Sequence, residues 1–314
     1  MDNIDFLSAT EAAAIACYEW IGRGDERAAD QAAVTAMRKA LNQLDIQGAV
    51  VIGEGERDEA PMLYIGEEVG RPGGKHKVDI ALDPLEGTTV CSKANLGSMS
   101  VLASGDKDKF LHSPDVYMNK IAVGPKAKDA IDIRKSVQEN IHNISDALEK
   151  DIHEMTVVVL ERPRHEELIL NLRKCGVRVK LIGDIDVAAA IETCLDDSPV
   201  DVLLGVGGAP EGVLSAAALK CLGGNFQGVL HFGNNEKQKE RATRMGVEDL
   251  DKIYTMEELV AGDIVFCATG ITDGSLFHGV QDIGNKFRTQ SLVLRSKTGT
   301  VAKITHDHPK ERFK

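Results

Sequence analysis

Thr156-Val157-Val158-Val159-Leu160-Glu161-Arg162-Pro163-Arg164-His165 decides the fold class. A β-branched apolar run of strand length stops at Pro163, which cannot donate to a ladder but suits the first turn of a helix, here running to Cys175. The unit then recurs. Val177-Arg178-Val179-Lys180-Leu181-Ile182 leads into a helix from Asp186 to Cys194, and Val200-Asp201-Val202-Leu203-Leu204 into one entered at Pro210. With a polar helix over Arg134 to Lys150 ahead of it, this alternation describes an α/β lobe.

Towards the N-terminus the rhythm differs. Ser8 and Thr10 are N-cap candidates before Glu11-Ala12-Ala13-Ala14-Ile15-Ala16, and Gly22 and Gly24 close that helix. Ala33, Val34, Met37, Ala40, Leu41 and Leu44 recur at three- and four-residue steps, which sets a second helix from about Asp25 to Leu44. Gly48 to Gly53, Val78 to Asp83, Ser98 to Leu102 and Lys120 to Val123 read as strands, giving an α+β order. The expected division is residues 1–130 and residues 131–314, with the boundary near Gly124-Pro125. Lys303 to Lys314 is polar enough to fray, and its His306-x-His308 pair reads as a solvated tail before a ligand set.

Composition narrows the function. Of 314 residues, 43% are hydrophobic and 27% charged, a balance that suits a soluble globular chain. Lys+Arg 37 against Asp+Glu 49 leaves a formal charge of −12, which repels nucleic acid and anionic lipid, and no basic patch offsets it. No apolar stretch approaches a membrane span and Met1 to Asp5 lacks the positive start of a signal peptide, so the expectation is a cytoplasmic protein. The six cysteines, Cys17, Cys91, Cys175, Cys194, Cys221 and Cys267, form no C-x-x-C pair and read as reduced, buried hydrophobes.

Carboxylates gather at the ends of the strands. Glu54, Glu56, Asp58 and Glu59 follow one, Asp83 and Glu86 close another, and Glu211 follows Val202 to Gly205. Like charges brought together at a sheet edge must take up protons or bind cations, and an oxygen-only donor set favours Mg²⁺ or Mn²⁺. In Asp83-Pro84-Leu85-Glu86-Gly87-Thr88-Thr89, Pro84 interrupts the ladder and Gly87 permits a tight turn, so both acids can face one cavity with a hydroxyl and turn N–H groups beside them. Arg162 and Arg164 near a strand end suit phosphate, and Gly183-Asp184-Ile185-Asp186 is a second strand-to-helix turn, where Asp184 could equally be a plain N-cap. The glycines from Gly205 to Gly212 lack the G-x-G-x-x-G order, which weighs against a dinucleotide enzyme.

Together these segments resemble the class II fructose-1,6-bisphosphatases of the lithium-sensitive, metal-dependent phosphatase superfamily. The resemblance runs in order through Gly22-Arg23-Gly24-Asp25, Ala29-Asp30, Val51-Ile52-Gly53-Glu54-Gly55-Glu56, Ala60 to Gly66, Asp83 to Thr88, Pro114 to Met118, Pro163-Arg164-His165, Gly183 to Ile191 and Gly207 to Gly212. It implies a layered α/β/α/β/α sandwich. It also implies metal-dependent hydrolysis of the 1-phosphate of fructose 1,6-bisphosphate in gluconeogenesis by a metal-activated water, with Mg²⁺ or Mn²⁺ as cofactor. The metal ligands would be Asp30, Glu54, Asp83, Glu86 and Glu211, and the catalytic groups Thr88, Asp30 and Glu54, with Thr88 hydrogen-bonded to Asp30. Substrate contacts would come from Glu86, Gly87, Thr88, Tyr117, Arg162, Pro163, Arg164, Asp184, Ile185, Asp186 and Gly208. The partner is then a small sugar bisphosphate, and the assembly a homo-oligomer, dimer or tetramer. Two departures bear on substrate preference: Glu26 and Arg27 stand where the family often carries Lys, and Thr89 to Asn95 differs from some members. The alternatives are sedoheptulose-1,7-bisphosphatase or dual activity, and, from another class, a non-catalytic sugar-phosphate or metal-binding protein.

Overall fold

The computed structural model describes residues 5–55, 62–233 and 235–313. The chain forms two compact units, Met1–Phe110 with Gly262–Lys314, and Leu111–Ala261. The first begins with α1 (Leu7–Cys17) and α2 (Glu26–Leu41), then β1 (Ile46–Ile52), β2 (Glu68–Val69), β3 (His76–Glu86), α3 (Thr88–Ser92) and β4 (Met99–Asp106). The second holds β5 (Tyr117–Val123), α4 (Val137–Leu148), β6 (Thr156–Leu160), α5 (Glu166–Cys175), β7 (Arg178–Ile182), α6 (Asp186–Glu192), β8 (Val202–Gly208), α7 (Ala209–Leu222), β9 (Asn225–His231), α8 (Glu236–Arg244), β10 (Ile253–Thr255) and α9 (Met256–Leu259). The chain then returns to the first unit with β11 (Ile264–Gly270), β12 (Gln281–Asp282), β13 (Lys286–Arg295) and β14 (Thr300–Pro309).

This corrects the expected division at residue 130. β5 pairs with β8 and β9 in the second unit's sheet, while β11 and β13 extend the first unit's sheet beyond β4. Local periodicity carries no information about which distant strand completes a ladder. Each unit has a mixed sheet. The first runs β12-β13-β11-β4-β3-β1-β2 with β14 on β13, and the second β10-β9-β5-β8-β6-β7. β6 is parallel to both β7 and β8, as strand–helix–strand crossovers demand.

α2 follows its spacing: Ala29, Ala33, Val34, Met37 and Leu41 are buried, and Asp25 Oδ1 caps the start from Ala28 N at 3.0 Å. Each of the larger of these side chains contributes about 1.5–3 kcal/mol by leaving water. Ser8 and Thr10 lie inside α1 rather than at its cap. Ser8 Oγ donates to Asp5 O at 2.7 Å, and the buried Thr10 Oγ1 lies 2.9 Å from Thr269 Oγ1. The expected fraying of the C-terminus is also corrected. β14 pairs antiparallel with β13 from Thr300 to Pro309 although its side chains are mostly exposed, so the backbone ladder orders it where burial does not. No helix among the described residues is long and apolar enough to cross a membrane.

Candidate active site

In the first unit, β1 and β3 run parallel and deliver acids from adjacent ends. After Ile52 a side chain at Gly53 would strike the Leu63 carbonyl, so only glycine lets the two segments cross; Glu54 N then donates to Leu63 O at 3.1 Å. Glu56, Asp58 and Glu59 lie outside the described residues. β3 continues through Pro84 to Glu86, and its register with β4 shifts between Asp83 and Glu86, an irregularity of the kind that re-aims side chains. Asp83 Oδ1 accepts from Leu85 N at 3.0 Å, and Glu86 is buried. Gly87, at φ 82°, turns the chain into α3, where Thr88 begins.

The electrostatics bring three of the expected ligands together. Burial, followed by the charges of Asp83 and Asp30, pushes the Glu54 carboxyl up to about 9, and burial raises Asp30. A group of acids this reluctant to ionise calls for a cation, and its donors are oxygens only, which fits a hard divalent ion. Thr88 departs from expectation: its hydroxyl donates to Leu85 O at 3.3 Å rather than to Asp30. The reason is local, because the turn that starts α3 places that carbonyl within reach.

In the second unit, Glu211 stands in the first turn of α7, directly after the glycines that end β8. A side chain at Gly208 would collide with the Glu211 carboxylate, and one at Gly207 with Asp186 and Lys120. Glu211 is raised by burial and then by Asp186, with Lys120 opposing, and its shielded Oε2 has no hydrogen-bond partner among the described residues. An orphaned buried carboxylate oxygen is costly, and a metal ligand position would relieve it. Tyr117 and Arg164 meet, the guanidinium carbon 4.7 Å from the ring centre, while Arg164 Nε and Nη2 donate to Val206 O at 3.0 and 2.8 Å. Arg162 lies 4.0 Å from Asp184. Burial raises Asp184, and Ile185 adopts φ 71°, a left-handed conformation costly for a β-branched residue.

The sequence profile described as bacterial fructose-1,6-bisphosphatase, glpX-encoded, matches residues 2–308. The chain belongs to this family. It is 46% identical to fructose-1,6-bisphosphatase 1 class 2 of Escherichia coli (strain K12), covering 98% of this chain and 95% of that protein. It is 43% identical to the D-fructose 1,6-bisphosphatase class 2/sedoheptulose 1,7-bisphosphatase of Synechococcus sp. (strain JA-3-3Ab), over 99% of this chain and 97% of that one.

Within this bisphosphatase framework the structure adds residues that the sequence did not single out. Lys120, buried at the middle of β5, places Nζ 2.6 Å from Asp186 Oδ2 and 2.9 Å from Gly208 O, fixing the start of α6 against the end of β8. His165 Nε2 accepts from Val206 N at 2.8 Å, so Nδ1 carries the proton donated to Leu160 O at 2.7 Å. Burial lowers its pKa, which keeps this bridge neutral. The thiols of Cys17 and Cys91 share a hydrogen bond; that bond, with burial and the charges of Asp30 and Asp83, raises Cys17. These two cysteines therefore border the acids instead of merely filling core. A lysine in a strand run reads as a solvent position, and scattered cysteines carry no spacing, so neither gave a signal.

Proposed function

We propose that the protein hydrolyses the 1-phosphate of fructose 1,6-bisphosphate to fructose 6-phosphate and phosphate. The observation that carries this is the Glu54–Asp83–Asp30 group, in which Glu54 is pushed up to about 9 inside a family match spanning residues 2–308. Asp30, Glu54, Asp83, Glu86 and Glu211 are the proposed ligands of Mg²⁺ or Mn²⁺. When bound, such ions offset the acids, polarise the ester and make a water nucleophilic near neutrality.

The chain's own residues do the rest. Thr88 Oγ1, whose 3.3 Å bond to Leu85 O is readily exchanged, orients the attacking water, and its one proton passes to whichever of Asp30 and Glu54 is ionised. Arg164 keeps further N–H donors for the 6-phosphate while two of its nitrogens hold Val206 O, and the Tyr117 ring fixes the plane of the fork. Gly87 and Gly208 let backbone approach the sugar phosphate, and Glu86, Arg162, Pro163 and Asp184 to Asp186 complete its contacts. We further propose a cytosolic homo-oligomer, dimer or tetramer, with this small molecule as its partner.

Sedoheptulose 1,7-bisphosphate is the second reading, favoured by relatives whose names carry both activities, such as that of Synechocystis at 44% identity. Phosphate release from each ester, with Mn²⁺, Mg²⁺ or excess EDTA, tests the proposal. Release from fructose 1,6-bisphosphate that EDTA abolishes is expected; binding without release would refute it in favour of a non-catalytic protein.

A further inference from the structure

We propose that Glu11, His306 and His308 form a second metal site, distinct in every residue from the acids above, and that it takes one Zn²⁺-like divalent cation. The three lie on two elements of the first unit. His306 and His308 stand two apart on β14 and so point to the same face of the strand, and Glu11 comes from α1. One ligand atom from each lies within 4.8 Å of the others. His306 Nδ1 is 2.9 Å and His308 Nε2 3.5 Å from Glu11 Oε1.

Three physical points favour a cation there. Glu11 is only 5% exposed, and among the described residues its ion-pair partners are these two imidazoles. A cation held between these groups would offset the buried carboxylate. The donor set, two nitrogens and one oxygen, is that of zinc sites and not of the hard ions that oxygen-only groups select. Zinc bonds near 2.0–2.1 Å imply ligand–ligand edges of about 3.3 Å, so the observed 2.9 and 3.5 Å need only small adjustments.

Thr289 Oγ1, from the β13 residue paired with His306, donates to Glu11 Oε1 at 3.0 Å and lies 3.0 Å from His308 Nε2, so ligation exchanges these two contacts for bonds to the ion. The His306 side chain is half exposed, leaving a path for the ion and for a water in the fourth position. β14 is held by one ladder with little burial, so an ion bridging it to α1 would clamp the C-terminal strand.

The test uses the full chain, stripped with chelator and dialysed into saturating Mg²⁺ so that the oxygen-only acids are occupied, and titrated calorimetrically with Zn²⁺ alone. One high-affinity equivalent is expected. His306→Ala, at a half-exposed position that leaves the core intact, should weaken it at least tenfold, and Co²⁺ should give visible tetrahedral absorption bands that His306→Ala and His308→Gln both remove. Zinc should slow proteolysis of the C-terminal strand in the parent and not in His306→Ala, with Mg²⁺-dependent phosphate release unchanged in that variant. Equal zinc affinity in parent and His306→Ala, or cobalt bands that survive both substitutions, would overturn the proposal and leave a hydrogen-bonded, proton-sharing cluster. Neither readout depends on turnover, so failure here and failure of the phosphatase reading are separate results.

Discussion

Replacing Glu54 by Gln should make the metal-free protein more stable while destroying its activity. The carboxyl sits at about 9 in the folded protein against an ordinary 4.5, because burial and the charges of Asp83 and Asp30 penalise its ionised form. A carboxyl raised on folding carries no penalty below its unfolded value and an increasing one as pH climbs between the two. At pH 7.5, three units above the unfolded value, that is at most about 4 kcal/mol, and relaxation within a group of mutually repelling acids brings it to roughly 2–4 kcal/mol. Glutamine removes the charge at nearly constant shape. In excess EDTA the midpoint of thermal unfolding should therefore rise by roughly 5–10 °C at pH 7.5, and by only about 1–2 °C at pH 5, where the parent's Glu54 is already protonated. Added Mn²⁺ should stabilise the parent more than the variant and narrow or reverse the difference. A variant no more stable than the parent at pH 7.5, or a gain that persists undiminished at pH 5, would show that the acids do not repel one another as argued.

Thr88→Ser should keep at least a tenth of the parent's kcat, whereas Thr88→Ala should lose on the order of 10²-fold, because the role needs only the hydroxyl; equal rates in a steady-state assay would remove Thr88 from the chemistry. Arg164→Lys should raise KM for fructose 1,6-bisphosphate about tenfold with kcat nearly kept, since an ammonium cannot hold Val206 O with two nitrogens while it sits over the Tyr117 ring; an unchanged KM reassigns the residue to structure. Lys120→Met should cost about 3–5 kcal/mol in chemical denaturation by leaving Asp186 buried without its partner, and Lys120→Met with Asp186→Leu should recover much of that; a double variant as weak as the single would show that the charge is not the cause.

How much of this was legible in sequence depended on whether the signal was local. The Glu54, Asp83 and Glu211 positions could be read because each stands where an apolar run gives way to glycine or proline, and the structure keeps Glu54 just past the end of β1, Asp83 at the irregularity in β3 and Glu211 at a helix start. The turn from β6 into α5 was equally plain, since Pro163 announces it. Asp30 lies inside a helix whose pattern says only which face is buried, and Tyr117 opens a strand with no special neighbour; both came from the family resemblance alone.

Three of the misses share a cause: a polar residue whose meaning is set by something distant in the chain. Lys120 looks like a solvent-facing strand residue until Asp186, 66 positions on, supplies its counter-charge. β14 looks like a polar tail because hydropathy scores side chains, whereas its order comes from main-chain bonds to β13. His306 and His308 look solvated for the same reason, yet the strand presents them to a buried carboxylate 295 residues earlier, on α1. Burial of a charge is therefore the property the sequence hides most completely, since a lone acid or lysine in a list of letters carries no trace of its partner. It is also the property on which the chemistry rests: Glu54, Glu211 and Glu11 are each withdrawn from water, and the cation proposed for each differs according to whether its other donors are oxygens or imidazole nitrogens.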